Sequence, residues 1–213
     1  LAHETLPKSG TDDVLGVQLA QILSEASLSL FVRQAAAIAL KKYVRKRWSI
    51  FFDTFTQDMV VNGIVQTVDA TPVEAKEHIR TSLLACLCDA EPKVRSQASD
   101  ILSLISSCDF PDHFPQLLPT LQAYLHSYTE QDAHAAYKVH GAMKFLLDLV
   151  HVELDENQLL MVAQQLVPLL QGIVSSSSDW ITPHTRARCI NVFHQCLISL
   201  YMAKDTYVDT VHM

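Results

Sequence analysis

The chain has 213 residues, 49% of them apolar, yet carries only 5 glycines and 8 prolines, a composition that disfavours a β-rich fold and predicts helices joined by short connections. Lys and Arg total 16 against 23 Asp and Glu, and the formal net charge of −7 argues against generic affinity for nucleic acid or an anionic membrane surface and favours basic partners. Five cysteines, an odd number at mostly apolar helical positions, read as reduced packing residues in a reducing compartment. No run approaches the ~20 uninterrupted apolar residues of a membrane span, and no signal peptide is recognisable, so a soluble, non-secreted protein is expected.

In chain order, Leu1–Leu6 reads as the tail of a helix, and the opening Leu1-Ala2-His3-Glu4, without an initiator Met, reads as part of a longer array. A helix follows from about Asp12 to Ser24, with Val14, Leu15, Leu19, Ile22 and Leu23 on its apolar side. The next, from Leu30 to Trp48, is rich in alanine (Ala35, Ala36, Ala37, Ala39), which lets neighbouring helices approach closely. Residues Ser49–Pro72 show no clean period and read as an insertion. Thr71-Pro72-Val73-Glu74 is a helix start, with Thr71 as N-cap and Pro72 in the first helical position, and this helix runs to about Leu87. Asp89-Ala90-Glu91-Pro92 is a tight turn before a helix from about Pro92 to Ser107. Pro111 and Pro115 cannot sit inside one regular helix, so they mark a turn and a new start, after which Leu117, Leu118, Leu121, Tyr124 and Leu125 carry a helix. Three more are expected at about Gln131–His151, Asp155–Val174 and Thr182–Ala203.

Related strings recur along the chain. Val32-Arg33-Gln34-Ala35-Ala36, Val94-Arg95-Ser96-Gln97-Ala98, Val139-His140-Gly141-Ala142-Met143 and Thr185-Arg186-Ala187-Arg188-Cys189 each precede an apolar helical pattern. The steps from Val94 to Val139 and from Val139 to Thr185 fall within the roughly 40–47 residues of HEAT or armadillo units, in which stacked helix pairs share one core. The longer step from Val32 to Val94 needs the insertion. The expected fold is therefore all-α: a single HEAT-repeat solenoid over residues 1–213 with about four units. Such proteins act as binding surfaces rather than as catalysts.

The residue chemistry agrees with that class. Cys86-Leu87-Cys88 lacks the second ligand pair of a zinc site, the histidines are scattered, and no glycine-rich phosphate loop or nucleophile–base pairing is recognisable, so no metal, cofactor or catalytic residue is expected. Arg33, Arg95 and Arg186 begin their helices, and with Asp89 they are expected to be structural ladder residues bonded to helix-end carbonyls or a neighbouring carboxylate. Lys41, Lys42, Arg45, Lys46 and Arg47 form the densest basic run, which reads first as a solvated helix end and second as a protein contact. Asp100, Lys144, Asp148 and Arg188 lie further along the inner helices, where side chains are expected to face the concave side.

Two strings also carry a resemblance. Val32-Arg33-Gln34-Ala35-Ala36-Ala37-Ile38-Ala39-Leu40-Lys41-Lys42-Tyr43-Val44, ending at Trp48, resembles the first-repeat signature of importin-β superfamily receptors. Phe110-Pro111-Asp112-His113-Phe114-Pro115-Gln116-Leu117 resembles that family's Trp-Pro-x-x-Trp-Pro-x-Leu turn, with Phe in place of both Trp. Val139–Lys144 and Thr185–Arg188 are most similar to importin-nine receptors. The resemblance implies an importin N-terminal domain over about residues 1–50, further HEAT repeats over 70–205, and a nuclear import receptor that shuttles between cytoplasm and nucleus. It also implies Ran-GTP, nucleoporins and basic protein cargo such as core histones as partners. Lys41, Lys42, Arg45, Lys46, Asp100, Lys144, Asp148 and Arg188 are then the expected partner contacts. An exportin, or a HEAT scaffold that never meets Ran, such as a phosphatase regulatory subunit, is the alternative.

Overall fold

The computed structural model describes residues 9–49, 58–61, 64–67, 71–130, 133–151 and 154–211. Their secondary structure is dominated by helices: α1 (Ser9–Ser24), α2 (Leu30–Arg47), α3 (Val73–Cys86), α4 (Pro92–Asp109), α5 (Leu117–His126), α6 (Ala133–His151), α7 (Glu156–Ser175) and α8 (Pro183–Val211). The fold class is all-α and of HEAT-repeat type, as the sequence predicts. Helical packing divides the chain into two compact units, Leu1–Cys86 and Leu87–Met213.

In the first unit α1 packs on both α2 and α3. The contact is close because small residues line it. Ala36 and Ala37 of α2 and Ala20 of α1 are buried, and a Cβ at Gly16 would lie 2.5 Å from the Tyr43 ring. This shifts the buried face of α1 from the expected one. Leu23 is fully buried, but Val14 and Leu15 are 47% and 44% exposed, because the large Tyr43 ring meets α1 at glycine rather than at the leucine.

The indole of Trp48, at the end of α2, is 1% exposed and lies under two cations of α3, Lys76 at 5.1 Å and Arg80 at 5.6 Å. Arg80 is itself buried and pairs with Glu77 at 3.3 Å. Thr71 does something other than the expected capping. Its amide and its hydroxyl both donate to the carbonyl of Arg47, at 2.8 and 2.9 Å, and the hydroxyl also bonds that of Tyr43 at 3.2 Å. Thr71 thus fastens the end of α2 to the start of α3, satisfying a helix-end carbonyl that would otherwise lack a donor. The segment expected to be an irregular insertion contains a two-stranded antiparallel ribbon, β1 (Asp58–Val61) and β2 (Ile64–Thr67), with Asp58 opposite Thr67 and Val61 opposite Ile64.

The second unit is two-layered. Helices α4, α6 and α8 pack side by side in one layer, α5 lies against α7 in the other, and the hairpins α5–α6 and α7–α8 join the layers. Between them is a continuous apolar core that includes Leu102, Ile105, Leu121, Phe145, Leu146, Leu149, Val162, Leu166 and Ile173. Phe110, joined to Pro111 by a cis bond, and Phe114 are both buried at the α4–α5 connection. Gln158 ties that connection to α7 by donating its amide to the carbonyl of Phe110 at 2.5 Å. The same residue completes a capping box with Asp155, each side chain accepting from the other's backbone amide at 2.8 Å, which fixes the start of α7. Among the described residues, Asn157–Ser175 is long and apolar enough to cross a membrane by length and composition. In this structure its Leu159, Val162, Leu166, Leu170 and Ile173 are buried, and the helix packs on α5 and α8.

Candidate protein-binding face

The residues singled out in the sequence fall into two groups, each within one unit. In the first unit Lys42, Arg45 and Lys46 are exposed on the last turns of α2 and Lys41 is half-buried. Three basic residues in the last turn, Arg45, Lys46 and Arg47, complement the negative end of the helix dipole. Lys42 and Lys46 also rim a cleft of about 290 Å³ whose apolar wall includes Leu15, Leu19 and Tyr43.

In the second unit α4, α6 and α8 bring the other group onto one layer. Asp148 of α6 accepts hydrogen bonds from Ser99 of α4 and from Lys144, one turn earlier on its own helix. Lys144 also pairs with Asp100 of α4 at 3.8 Å, so a lysine between two carboxylates links two successive layer helices. Arg188 of α8 is half-buried nearby and makes no hydrogen bond or ion pair among the described residues. Its guanidinium pKa is held below the ordinary arginine value by burial, with the Asp148 charge acting in the opposite direction.

The arginines that open the inner helices are placed at carbonyls. Arg33 Nε donates to Leu23 O at the end of α1, at 2.8 Å. Arg95 donates to the carbonyls of Asp89 and Ala90 at 2.5 and 2.9 Å and lies over the Tyr137 ring at 5.2 Å. Arg186 donates to Ile181 O at 2.5 Å and to Ser176 O at 2.7 Å, closing the α7–α8 connection. The Asp89 carboxylate accepts from the amide of Glu91 at 2.8 Å, an Asx turn leading into α4.

The structure adds two histidines that sequence reading passed over as scattered. His140 of α6 and His184 of α8 line a cleft of about 260 Å³ together with Arg95, Lys144 and Arg188. Among the described residues the buried Nε2 of His140 has no hydrogen-bond partner, and its ring meets Trp180 edge-on at 6.2 Å. Burial, followed by the charges of Arg95, Arg188 and His184, lowers the pKa of His140, so it is neutral at pH 7. No string could have signalled this cluster, since its members come from three helices of three repeats. Among the described residues no group of His, Cys, Asp or Glu could hold a metal ion. Burial pushes the Cys189 thiol up to about 11, the opposite of what a nucleophile or metal ligand requires.

Stacked helix pairs that present charged side chains on one layer, with arginines closing the connections, define a HEAT-type helical array. The family profile of the Importin-beta N-terminal domain matches residues 2–89. Across 193 residues the chain is 28% identical to Importin subunit beta-5 of Schizosaccharomyces pombe, covering 90% of this chain and 18% of that protein. It is 25% identical over 185 residues to Importin-9 of Drosophila melanogaster, covering 87% of this chain and 16% of the relative. Exportin-2 of Drosophila melanogaster is 26% identical over 102 residues, 48% of this chain and 9% of that protein. Residues 2–89 thus resemble an importin-β N-terminal domain, and most of the chain is similar to importin-β superfamily proteins. It spans less than a fifth of the length of the importins just described.

Proposed function

We propose that this chain is the Ran-binding N-terminal part of a nuclear import receptor of the importin-nine type. It has no catalytic role, and it works between cytoplasm and nucleus. Ran in its GTP form would dock on the charged layer of α4, α6 and α8 in the second unit and would alter the affinity for cargo; in the first unit the basic end of α2 is, by itself, a proposed partner contact. The observation that carries this reading is the Lys144–Asp148–Asp100 network beside Arg188, a set of opposite charges held on successive helices of an importin-type array. A mixed-charge surface of this kind selects orientation and partner more than it adds raw affinity. Basic cargo such as core histones fits the net charge of −7, and nucleoporins are the expected partners during passage.

Export is the second reading, favoured by the likeness to Exportin-2. The two differ in sign: an import receptor binds cargo less tightly once Ran-GTP is present, and an export receptor binds it more tightly. The reading is tested by calorimetry of the chain with Ran loaded with a non-hydrolysable GTP analogue and with GDP. A clear preference for the GTP form is expected. Equal affinity for the two forms, or no binding to either, would leave a HEAT scaffold unrelated to Ran.

A further inference from the structure

The cleft between the starts of α4 and α8 and the middle of α6 gathers polar groups that have no hydrogen-bond partner among the described residues. Arg188 brings a planar fork of five N–H donors, half-buried, with no hydrogen bond or ion pair among the described residues. His140 brings an Nε2 that is buried and equally unpartnered. The other cations of the cleft are differently placed. Arg95 is committed to the carbonyls of Asp89 and Ala90, and Lys144 to Asp148 and Asp100. Buried polar atoms are nearly always hydrogen-bonded, so the unpartnered Nε2 of His140, beside a guanidinium with no bond among the described residues, marks this cleft of about 260 Å³ as a specific feature.

From these unspent donors we infer that the cleft is a binding site for an oxyanion, the side-chain carboxylate of an Asp or Glu presented by a partner protein. The guanidinium of Arg188 would take it as a fork, and His140 would donate from Nε2. The charge of Arg95 is opposed by Asp89 and Glu91 and that of Lys144 by Asp148 and Asp100, which leaves Arg188 as the cation of the cleft with no ion pair among the described residues, a match for a singly charged carboxylate rather than a phosphate. The negative charge of a bound carboxylate would oppose the burial that depresses the proton affinity of both Arg188 and His140, so the two groups should respond together. The inference does not depend on Ran, because any partner with an acidic side chain at the right place would satisfy the cleft.

The test is a titration of the full chain, with its histidines isotopically labelled, by N-acetylglutamate amide, which carries one carboxylate on a peptide-like stem. The ring resonances of His140 should shift saturably, and its titration midpoint should rise. Arg188→Gln should weaken the response at least tenfold, with Arg188→Lys in between. Folding of both variants is checked by their circular dichroism. Inorganic phosphate and chloride at matched ionic strength serve as comparators. No saturable shift at His140, an undiminished response in Arg188→Gln, or an equal response to chloride would overturn the site. Tighter binding of phosphate than of the carboxylate would overturn the ligand assignment.

Discussion

A Cβ added to Gly141 in α6 would lie 1.8 Å from the carbonyl oxygen of Leu87, far inside any real contact. The backbone of α6 therefore passes directly against the end of the segment that leads into α4, and only glycine permits it. Gly141→Ala should destabilise the chain by about 1–3 kcal/mol, even though alanine gains up to about 1 kcal/mol in helix propensity. Chemical denaturation of the two proteins checks this. A variant as stable as the parent would mean that the two backbones are not in contact.

Arg186 spends its guanidinium on the carbonyls of Ile181 and Ser176, so removing it leaves polar groups at the α7–α8 connection without donors. Arg186→Ala is expected to cost about 1–3 kcal/mol, and Arg186→Lys to recover only part, since an ammonium cannot reproduce the fork. Thermal melts of both variants, compared with Arg188→Ala, separate the two arginines. Arg188 makes no such bonds, and its loss should be close to neutral.

Trp48 fills the end of the first unit between α2 and α3 under Lys76 and Arg80. Trp48→Ala should cost about 3–5 kcal/mol through the cavity it leaves. Trp48→Phe should cost distinctly less, because an aromatic face remains under the cations. Equal losses in the two variants, by denaturation monitored through circular dichroism, would argue against the stacked arrangement.

The pH response of the second unit should follow His140. Its folded-state pKa is lowered by burial and by Arg95, facing it from α4, and Arg188 and His184, facing it from α8. Because the unfolded value is about 6.5, the unfolded chain takes up the proton first as the pH falls. Stability present at pH 7 is therefore lost as the pH drops below about 6.5 towards the folded value. The melting temperature at pH 5.5 should lie below that at pH 7.5, and His140→Gln should reduce the difference. An unchanged difference would assign the dependence to other groups.

Much of the fold is legible in the sequence, and the reason is local punctuation. Asp155 and Gln158 announce the start of α7, Pro92 that of α4, and Pro111 and Pro115 the break before α5, because caps and prolines act within a few residues. Thr71 shows the limit of such reasoning: the residue type suits a cap, but the carbonyl of Arg47 is the acceptor available to its hydroxyl. The ribbon β1–β2 was missed because its strands are only four residues long, although Asn62-Gly63 between them is a strong sequence signal for a hairpin. The exposure of Val14 and Leu15 depends on where Tyr43 approaches, a tertiary fact that helical spacing does not contain. The same holds for the candidate site. Lys144 and Asp148 are one turn apart and could be paired on sequence, whereas the meeting of Arg95, His140 and Arg188 exists only once three repeats have stacked.

One layer of the second unit, α4, α6 and α8, is the proposed docking face for the nucleotide-dependent partner. Amide hydrogen exchange of the chain, with and without saturating Ran carrying a GTP analogue, tests it most directly. New protection is predicted along the segments around Asp100, Lys144, Asp148 and Arg188, with α5 and α7 unchanged and with no footprint from the GDP form. Protection confined to α5 and α7, or the same footprint with both nucleotides, would contradict the account.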